Sequence, residues 1–487
     1  MPISYPSKQP WPPEPWQGVY AQFAEHAAWY SSDPNALIAL TGASSRAGTP
    51  FLRQRFQEAF STSADESRVC HVPLAADIAR KSAAFLFAEE PHINCEREDT
   101  QGRLEKIVAA TNIHNRLSEA AEIAAALGGV FLKTNWDRAL SPYPLLAVVH
   151  PDNAIPEFRF GILVAATFWK VVANDGKDIY RLLERHEPGQ IANALYRGTS
   201  DELGTQVGLA YLQETQQLLP VVSTGLDRLA CTYVPNMLPN RRFRAMPIGQ
   251  PDIQGCESLL DSLDEIVTGL LWDVLLGQGR LAAPTQMFEL QGDGSWRFDL
   301  HKRTYMPLEI SGTSGQSIDQ LMKVIQHEIR TQEHIDAALY FTEQIVGAAG
   351  YSPQTFGLKI EGRAESGTAL NIRERQSFLT AGKKSAYWAP ALEEVLETLL
   401  MIDSVQLGSG VTPERPTVEI QDSVPQDTTE VAATVELLAR AQAASVETRV
   451  RLLHPSWSEK DVQAEVSRIL SETGLQMPDP LQAGELP

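Results

Sequence analysis

From Cys256 the apolar residues fall at positions 256, 259, 260, 263, 266, 267, 270, 271, 274 and 275, the spacing of one helix face sustained for about six turns. A second stripe runs through Ile318, Leu321, Met322, Ile325, Ile329, Ile335, Leu339, Ile345 and Val346. Asp319, Glu328, Glu333, Asp336 and Glu343 mark its solvated side. The pair predicts a helical hairpin over 251–277 and 317–349, packed through Leu263, Ile266, Leu270 and Val274 from the first helix and Ile325, Ile329 and Leu339 from the second. Residues 278–316 form an insert between them. TQMFEL and SWRFDL flank Gln291-Gly292-Asp293-Gly294 as the arms of a short hairpin, and YMPLEI reads as another strand.

Residues 17–127 read as helical. Val72-Pro73 places proline in the first turn of a helix carrying Leu74, Ile78, Ala79 and Phe85. A second helix carries Leu104, Ile107, Val108, Leu117 and Leu127 and stops at Gly128-Gly129. The character changes at Val130. Segments 130–136, 145–150 and 158–172 are β-branched or aromatic, Asn174-Asp175-Gly176-Lys177 supplies a tight turn into 178–187, and Gly189 leads into IANALYRG. Residues 130–235 therefore predict a mostly antiparallel sheet region packed on the preceding helices.

Downstream, GYSPQTFGLKIEGRAES (350–366) reads as a polar, glycine-rich loop. A long helix follows from Gly367 to about Asp403. Pro390 removes a backbone donor inside it and predicts a kink near 386–390. Thr417 to Ile420 reads as a strand, and two or three short helices close the chain. Ser456-Trp457-Ser458-Glu459 would cap the last of them and Gly474 would stop it. The expected fold class is α+β, mainly helical.

Composition narrows the function classes. The chain has 487 residues, room for two to four domains or one large multi-part subunit. Its net charge is −20, from 61 acidic and 41 basic residues. That argues against gripping the outside of a nucleic acid, which needs basic patches. It does not argue against DNA sliding through a channel whose wall repels phosphate. Cys70, Cys95, Cys231 and Cys256 form no C-x-x-C pair, and no His stands at zinc-ligand spacing, so reduced thiols and no metal are expected. The longest apolar stretch, Gly161 to Trp169, falls far short of the ~20 residues of a membrane span. The first sixteen residues hold six prolines and one lysine, no secretory signal. They predict an extended arm whose Trp11 and Trp16 either dock on a neighbour or hang free.

Catalytic motifs fail on inspection. Gly382-Lys383-Lys384-Ser385 resembles the end of a phosphate-binding loop, but Ser377 stands where the earlier glycine is needed. His327-Glu328 lacks a second histidine, since position 331 is Thr. His327 and His334 are expected on a polar helix face. Gly312-Thr313-Ser314-Gly315 has the wrong spacing for a nucleophile elbow, and no dinucleotide fingerprint occurs. Neither enzymatic activity nor a cofactor is expected.

The order of long helix, small β insert, long helix, polar loop, kinked helix and terminal helices resembles the portal proteins of tailed bacteriophages, in the group typified by the portal of the Bacillus phage SPP1. GQPDIQGCESLLDSLDEIVTGLLWDV resembles that group's approach to the first stem helix. YSPQTFGLKIEGRAESGTALNIRERQ looks like its tunnel loop and kinked helix, with Ser366-Gly367-Thr368-Ala369-Leu370 the most typical run. ERHEPGQIANALYRG and HPDNAIPEF resemble the wing of actinobacteriophage members. The resemblance implies a ring, usually dodecameric, at one capsid vertex of a virion assembled in the host cytoplasm, with double-stranded DNA passing through its axis. It implies a division into wing (17–250), stem (251–277 and 317–349), clip (278–316), tunnel loop (350–366), kinked helix of the wing (367–416), and crown with C-terminal tail (417–487), while the proline-rich arm (1–16) has no counterpart in it. Its implied partners are further copies of itself, the major capsid protein, scaffolding protein, the terminase large subunit and a head-completion or adaptor protein, with no membrane. The rival readings are another head–tail connector ring component, or an enzyme with an unmarked site.

Within that frame, Lys359 and Arg363, beside Glu361 and Glu365, are candidates to touch DNA phosphates from the tunnel loop, or else form a solvated loop with weak internal pairs. Arg373, Arg375, Lys383 and Lys384 stand against the single acid Glu374 and are expected to bridge subunits, because a ring of acidic subunits needs positive partners at its seams. His301, Lys302 and Arg303 either line the channel exit or contact an adaptor, or are a plain exposed turn. Arg241, Arg242 and Arg244 read as a solvated linker patch.

Overall fold

The computed structural model describes residues 9–33, 35–37, 70–277, 280–284, 305–308, 323–325, 328–358, 367–420, 428–454, 457 and 459–472. They fall into two units, one of Met1–Arg363 with Asn371–Asp422, the other of Ala364–Leu370 with Ser423–Pro487.

The first unit opens with α1 (Gln17–Ser31) and α2 (Leu74–Phe87). Pro73 precedes α2 as expected of a residue with a preset φ and no N–H to lose. The single helix expected through 104–127 is instead α3 (Glu98–Thr111) and α4 (Ile113–Leu127). Asn112, left-handed at φ 53°, ends one and begins the other. Asparagine tolerates that conformation, and the apolar stripe runs on across the break unaltered. α4 stops at Gly128 (φ 93°), where a Cβ would meet the Gly249 carbonyl oxygen at 2.7 Å, so both conformation and space demand glycine. The alanines of α4 (Ala120, Ala121, Ala124) let α2 pack closely through Ala79 and Ala83, all in one buried cluster.

β2 (Gly129–Asn135) lies at the centre of a three-stranded antiparallel sheet between β3 (Leu145–Val149) and β10 (Cys231–Pro235). The larger sheet runs β4 (Ala154–Arg159), β5 (Ile162–Asn174), β6 (Ile179–Glu187), β7 (Gln190–Gly198), β8 (Thr205–Val207), with β9 (Val221–Ser223) also on β7; every pairing is antiparallel. The strand expected at 158–172 is two strands, joined at Phe160-Gly161. The turn after β5 is held by the Asp175 carboxylate, which accepts from the Lys177 and Asp178 amides. The mixed helix-and-sheet class is as expected.

The proline-rich arm departs from expectation. Trp11 and Trp16 are buried in this chain's own main core, not offered to a neighbour. The Leu203 amide donates to the Gln9 carbonyl and the Trp11 amide to the Asp201 carbonyl, strapping the arm beside β8. The Trp11 ring meets Trp169 edge-on at 5.4 Å, and the Trp169 indole N–H donates to the Tyr20 hydroxyl at 2.9 Å. Two indoles bury enough apolar surface to offset the ordering of a segment already stiffened by proline.

α5 (Glu257–Leu276) matches the first stripe almost to the residue. The second stripe does not make one helix. β11 (Arg280–Pro284) pairs parallel with β12 (Tyr305–Leu308) and antiparallel with β13 (Lys323–Ile325), and only then does α6 (Thr331–Ala348) begin. The small sheet thus reaches to Ile325, beyond the insert expected at 278–316. Lys-Val-Ile at 323–325 fits a short strand as well as a helix turn, and its pairing with Arg280, Leu281 and Ala282 far upstream decides. TQMFEL, SWRFDL and 318–322 lie outside the described residues. Leu263 is buried against Ile345 and Val346, whereas Ile266 and Leu270 are half-buried. Val274, Ile329 and Leu339 are 44%, 38% and 43% exposed, so they do not pack within the chain as expected.

α7 (Gly367–Ile402) continues through Pro390 and buries Trp388, Leu392, Val395 and Leu399 in the main core. β14 (Thr417–Glu419) returns to pair with β1 (His92–Asn94). In the second unit, α8 (Thr428–Arg440), α9 (Val446–Leu453) and α10 (Glu459–Glu472) follow one another. Ser445 caps α9, its Oγ accepting from the Thr448 amide at 3.1 Å. The cap expected at Ser456 and the stop at Gly474 lie outside the described residues.

The unequal burial along α5 makes a test. Leu263→Asp places an unpaired carboxylate in the core and should lower stability by about 3 kcal/mol or more, whereas Leu270→Asp should cost the single chain clearly less. Urea unfolding of the two variants checks this, and equal midpoints would contradict the assignment of Leu263 to the inner face.

Candidate functional site at the base of the helical hairpin

Lys384 is 1% exposed. Its ammonium stands 2.7 Å from both Asp252 oxygens and donates also to Ser82 Oγ at 2.6 Å and Tyr351 Oη at 3.1 Å. The Tyr351 hydroxyl donates to Asp252 Oδ2 at 2.9 Å, and Asn236 Nδ2 donates to Asp252 Oδ1 at 2.7 Å. Five segments meet at this node: α2, the turn after β10, the approach to α5, the exit from α6, and α7. Burial pushes the Lys384 ammonium below the usual lysine value, and the Asp252 carboxylate opposes that shift. Burial, then the Asp252 charge, pushes the Tyr351 phenol well above its usual value.

The node corrects the expectation that Lys384 bridges subunits: its partner is in its own chain. Residues 377, 381, 384 and 388 recur at helical spacing, and Ser377, Ala381 and Trp388 are all buried, so Lys384 shares their inward face. Lys383 and Arg375 are exposed, and the side chain of Arg373 lies outside the described residues.

The same face of α7 holds the start of the expected polar loop. Ser377 Oγ accepts from the Ser352 amide at 2.8 Å and bonds Thr355 Oγ1 at 2.9 Å. Thr380 Oγ1 donates to the Gly350 carbonyl at 2.6 Å, and Gln376 Nε2 to that of Gly347 at 3.1 Å. Residues 350–356 are therefore anchored, with Tyr351 buried, and are not free loop as expected. Lys359, Glu361, Arg363 and Glu365 lie outside the described residues, as do His301, Lys302 and Arg303.

α5 is tied to its surroundings by acids along its length. Glu257 pairs with His26 at 2.9 Å, Asp264 with His71 at 2.7 Å, and Asp273 with Arg330 and His334, each at 3.1 Å. The Val72 amide donates to Asp264 and the Cys70 amide to Thr268 Oγ1. Burial would raise the Glu257 carboxyl, but the His26 hydrogen bond and nearby backbone donors outweigh it and hold it low. Asp273 is held low chiefly by the Arg330 hydrogen bond. His334, expected on a polar helix face, faces α5, where Asp273 offers it a carboxylate. Among and beyond these pairs, the apolar side chains of Val274, Ile329, Ile335, Leu339 and Tyr340 are left exposed by the chain itself. Arg242 pairs with Glu25 at 3.2 Å while Arg241 and Arg244 stay exposed. Among the described residues no group of three or more His, Cys, Asp or Glu could hold a metal ion, and no helix is long and apolar enough to cross a membrane.

Residues 66–478 match the family described as phage portal protein, SPP1 Gp6-like. The chain belongs to that family. Among solved structures it is similar to a chain of the virion of a native gene transfer agent particle, at 12% identity and a TM-score of 0.41, covering 85% of this chain and 97% of that one. It is likewise similar to chains in the neck of the empty particle (13%, TM-score 0.43, 85% and 97% covered) and of the native particle computed with C12 symmetry (13%, 0.37, 86% and 97%). No curated protein matches. Family membership bears out the portal reading of the sequence. The buried node at 252, 351 and 384 was missed there, although the 377–381–384–388 spacing carried its signal.

Two tests follow from the polar contacts. Lys384→Met leaves Asp252 buried without its cation and should destabilise by about 3–5 kcal/mol, and adding Asp252→Leu should recover most of the loss. Thermal unfolding reads this, and a loss below about 1 kcal/mol would reduce the pair to the standing of a surface bridge. The second test is pH. Glu184, held down to about 2 by His186 and Lys133 against the effect of burial, joins Glu257 and Asp273 in having a folded pKa below the ordinary one. The unfolded chain then binds more protons, so the stability these groups add is complete above about pH 5 and is lost as pH falls toward 2. Urea midpoints stepped through that window should drop, and Glu184→Gln should flatten the drop.

Proposed function

We propose that copies of this chain close into a portal ring, usually a dodecamer in this family, at one capsid vertex of a virion, and that double-stranded DNA is packaged and ejected through its axis. The observation that carries the ring is the uncovered apolar face of the α5–α6 hairpin, with Val274, Ile329, Leu339 and Tyr340 exposed to water in a single copy. In a family of portal proteins such a face has an occupant of the right kind, the same hairpin of the next copy. The hairpin is then the stem, the β11–β12–β13 sheet part of the clip, and residues 359–366 the segment that meets DNA.

The mechanism is mechanical and electrostatic. At −20 per copy, about twelve copies carry on the order of 200 negative charges, which disfavours adhesion of phosphate to the bore. Lys359 and Arg363 touch DNA in passing while Glu361 and Glu365 limit the grip. The terminase large subunit supplies the energy of packaging, and a head-completion or adaptor protein later takes its place near His301, Lys302 and Arg303. The major capsid protein and scaffolding protein surround the ring during assembly in the host cytoplasm. Lys383 and Arg375, both exposed, are the remaining described candidates for seams between subunits.

Electron micrographs of the purified chain should show closed rings with an axial pore, and a stable monomer would sink the reading. Deleting 359–365, which spares the Ser352 and Thr355 anchors, should leave rings intact and lower packaged DNA by about tenfold or more. Full packaging by that variant would remove the loop from the DNA path.

A further inference from the structure

At the tip of the β4–β5 hairpin, Arg159 and Ile162 flank the two-residue turn Phe160-Gly161, with φ 54° and 81°. A turn with both residues left-handed favours Asn-Gly, and a bulky side chain at the first position is disfavoured. Phe160 is nonetheless there, fully exposed at 105%, with Ile162 69% exposed beside it. Nothing in local folding calls for an aromatic ring at this point. An aromatic side chain beside an arginine is the composition of interface anchors.

The same unit carries an unused socket. A cavity of about 550 Å³ opens between β1, α3 and the start of α4. Its lining includes apolar Ile93, Leu104, Val108 and Ala109, with the carboxylates of Glu90 and Glu105 and no lysine or arginine. His114, also in the lining, has a buried Nδ1 without a hydrogen-bond partner. We propose that the β4–β5 tip of one copy seats in this cavity of the next, Phe160 on the apolar floor and Arg159 against Glu90 and Glu105. The proposal rests on the ring reading above. A knob and a socket at different places on one chain make a head-to-tail contact, which closes a ring when the rotation per copy divides a full turn. The charges match: a chain of net −20 meets its copy here through a cation and two carboxylates. The unpartnered His114 nitrogen gains a backbone group of the arriving turn.

The test uses the full-length chain. Phe160→Asn removes the ring and installs the residue the turn prefers, so the monomer should melt at or above the wild-type temperature. Sedimentation across a concentration series should show ring assembly shifted upward by about tenfold or more. Phe160→Cys combined with Ala109→Cys should give a ladder of disulfide-linked multimers when assembled rings are oxidised, absent from either single variant. Assembly of Phe160→Asn at wild-type concentration overturns the proposal, as does a double-cysteine ring that oxidises without a ladder. Phe160→Asn rings that assemble normally but are not built into particles move the tip onto the capsid, and overturn this seat while the ring reading stands. Wild-type chain that forms no ring at all overturns both.

Discussion

The Lys384–Asp252 pair is the interaction on which the geometry of the first unit depends. Both side chains are out of water, so neither charge can remain without the other, and losing one partner costs about 3–5 kcal/mol. An apolar contact tolerates a slide of an ångström. A bidentate approach at 2.7 Å, shared with Ser82, Tyr351 and Asn236, does not. The approach to α5 and the exit from α6 are the two ends of the α5–α6 hairpin, and both are fixed at this point against α2 and α7.

That arrangement divides the hairpin into sides with different chemistry. Near the node, Leu263, Ile345 and Val346 close an ordinary core, and acids along α5 hold histidines, an arginine and backbone amides from neighbouring segments. Farther out, Asp273 still ties α5 to Arg330 and His334, and beside that tie the apolar side chains Val274, Ile329 and Ile335 face water. Exposure of one such residue would need no explanation, since lone exposed leucines are common. Here there are five, Val274 on α5, Ile329 just before α6, and Ile335, Leu339 and Tyr340 on α6.

Much of this was legible from periodicity, and where it was not the reason is physical. α5 and α7 follow their stripes within a residue or two, because long amphipathic patterns and a glycine-rich boundary leave little choice. The second stripe misled at 323–325, where a pattern compatible with helix is overruled by pairing with β11 far upstream. The break at Asn112 leaves the stripe undisturbed and so leaves no trace in it. The arm's tryptophans gave no hint of which surface they would cover. Lys384 was misread because a lysine in a basic run is normally solvated. Its position four residues before Trp388 and seven after Ser377 was the better guide, since helical geometry outranks charge in deciding which way a side chain points.

α7 gathers these strands into one lever. Its inward face carries, in order, Ser377 and Thr380 on the loop base, Lys384 on the node, and Trp388 to Leu399 in the main core. The Ser352–Ser377 bond stands one turn from Thr380 and two from Lys384 on this face. One helix thus holds residues 350–355 and both ends of the α5–α6 hairpin by polar contacts of defined length, and it is itself fixed by the apolar core from Trp388 onward, so the position of each of these segments depends on the same helix.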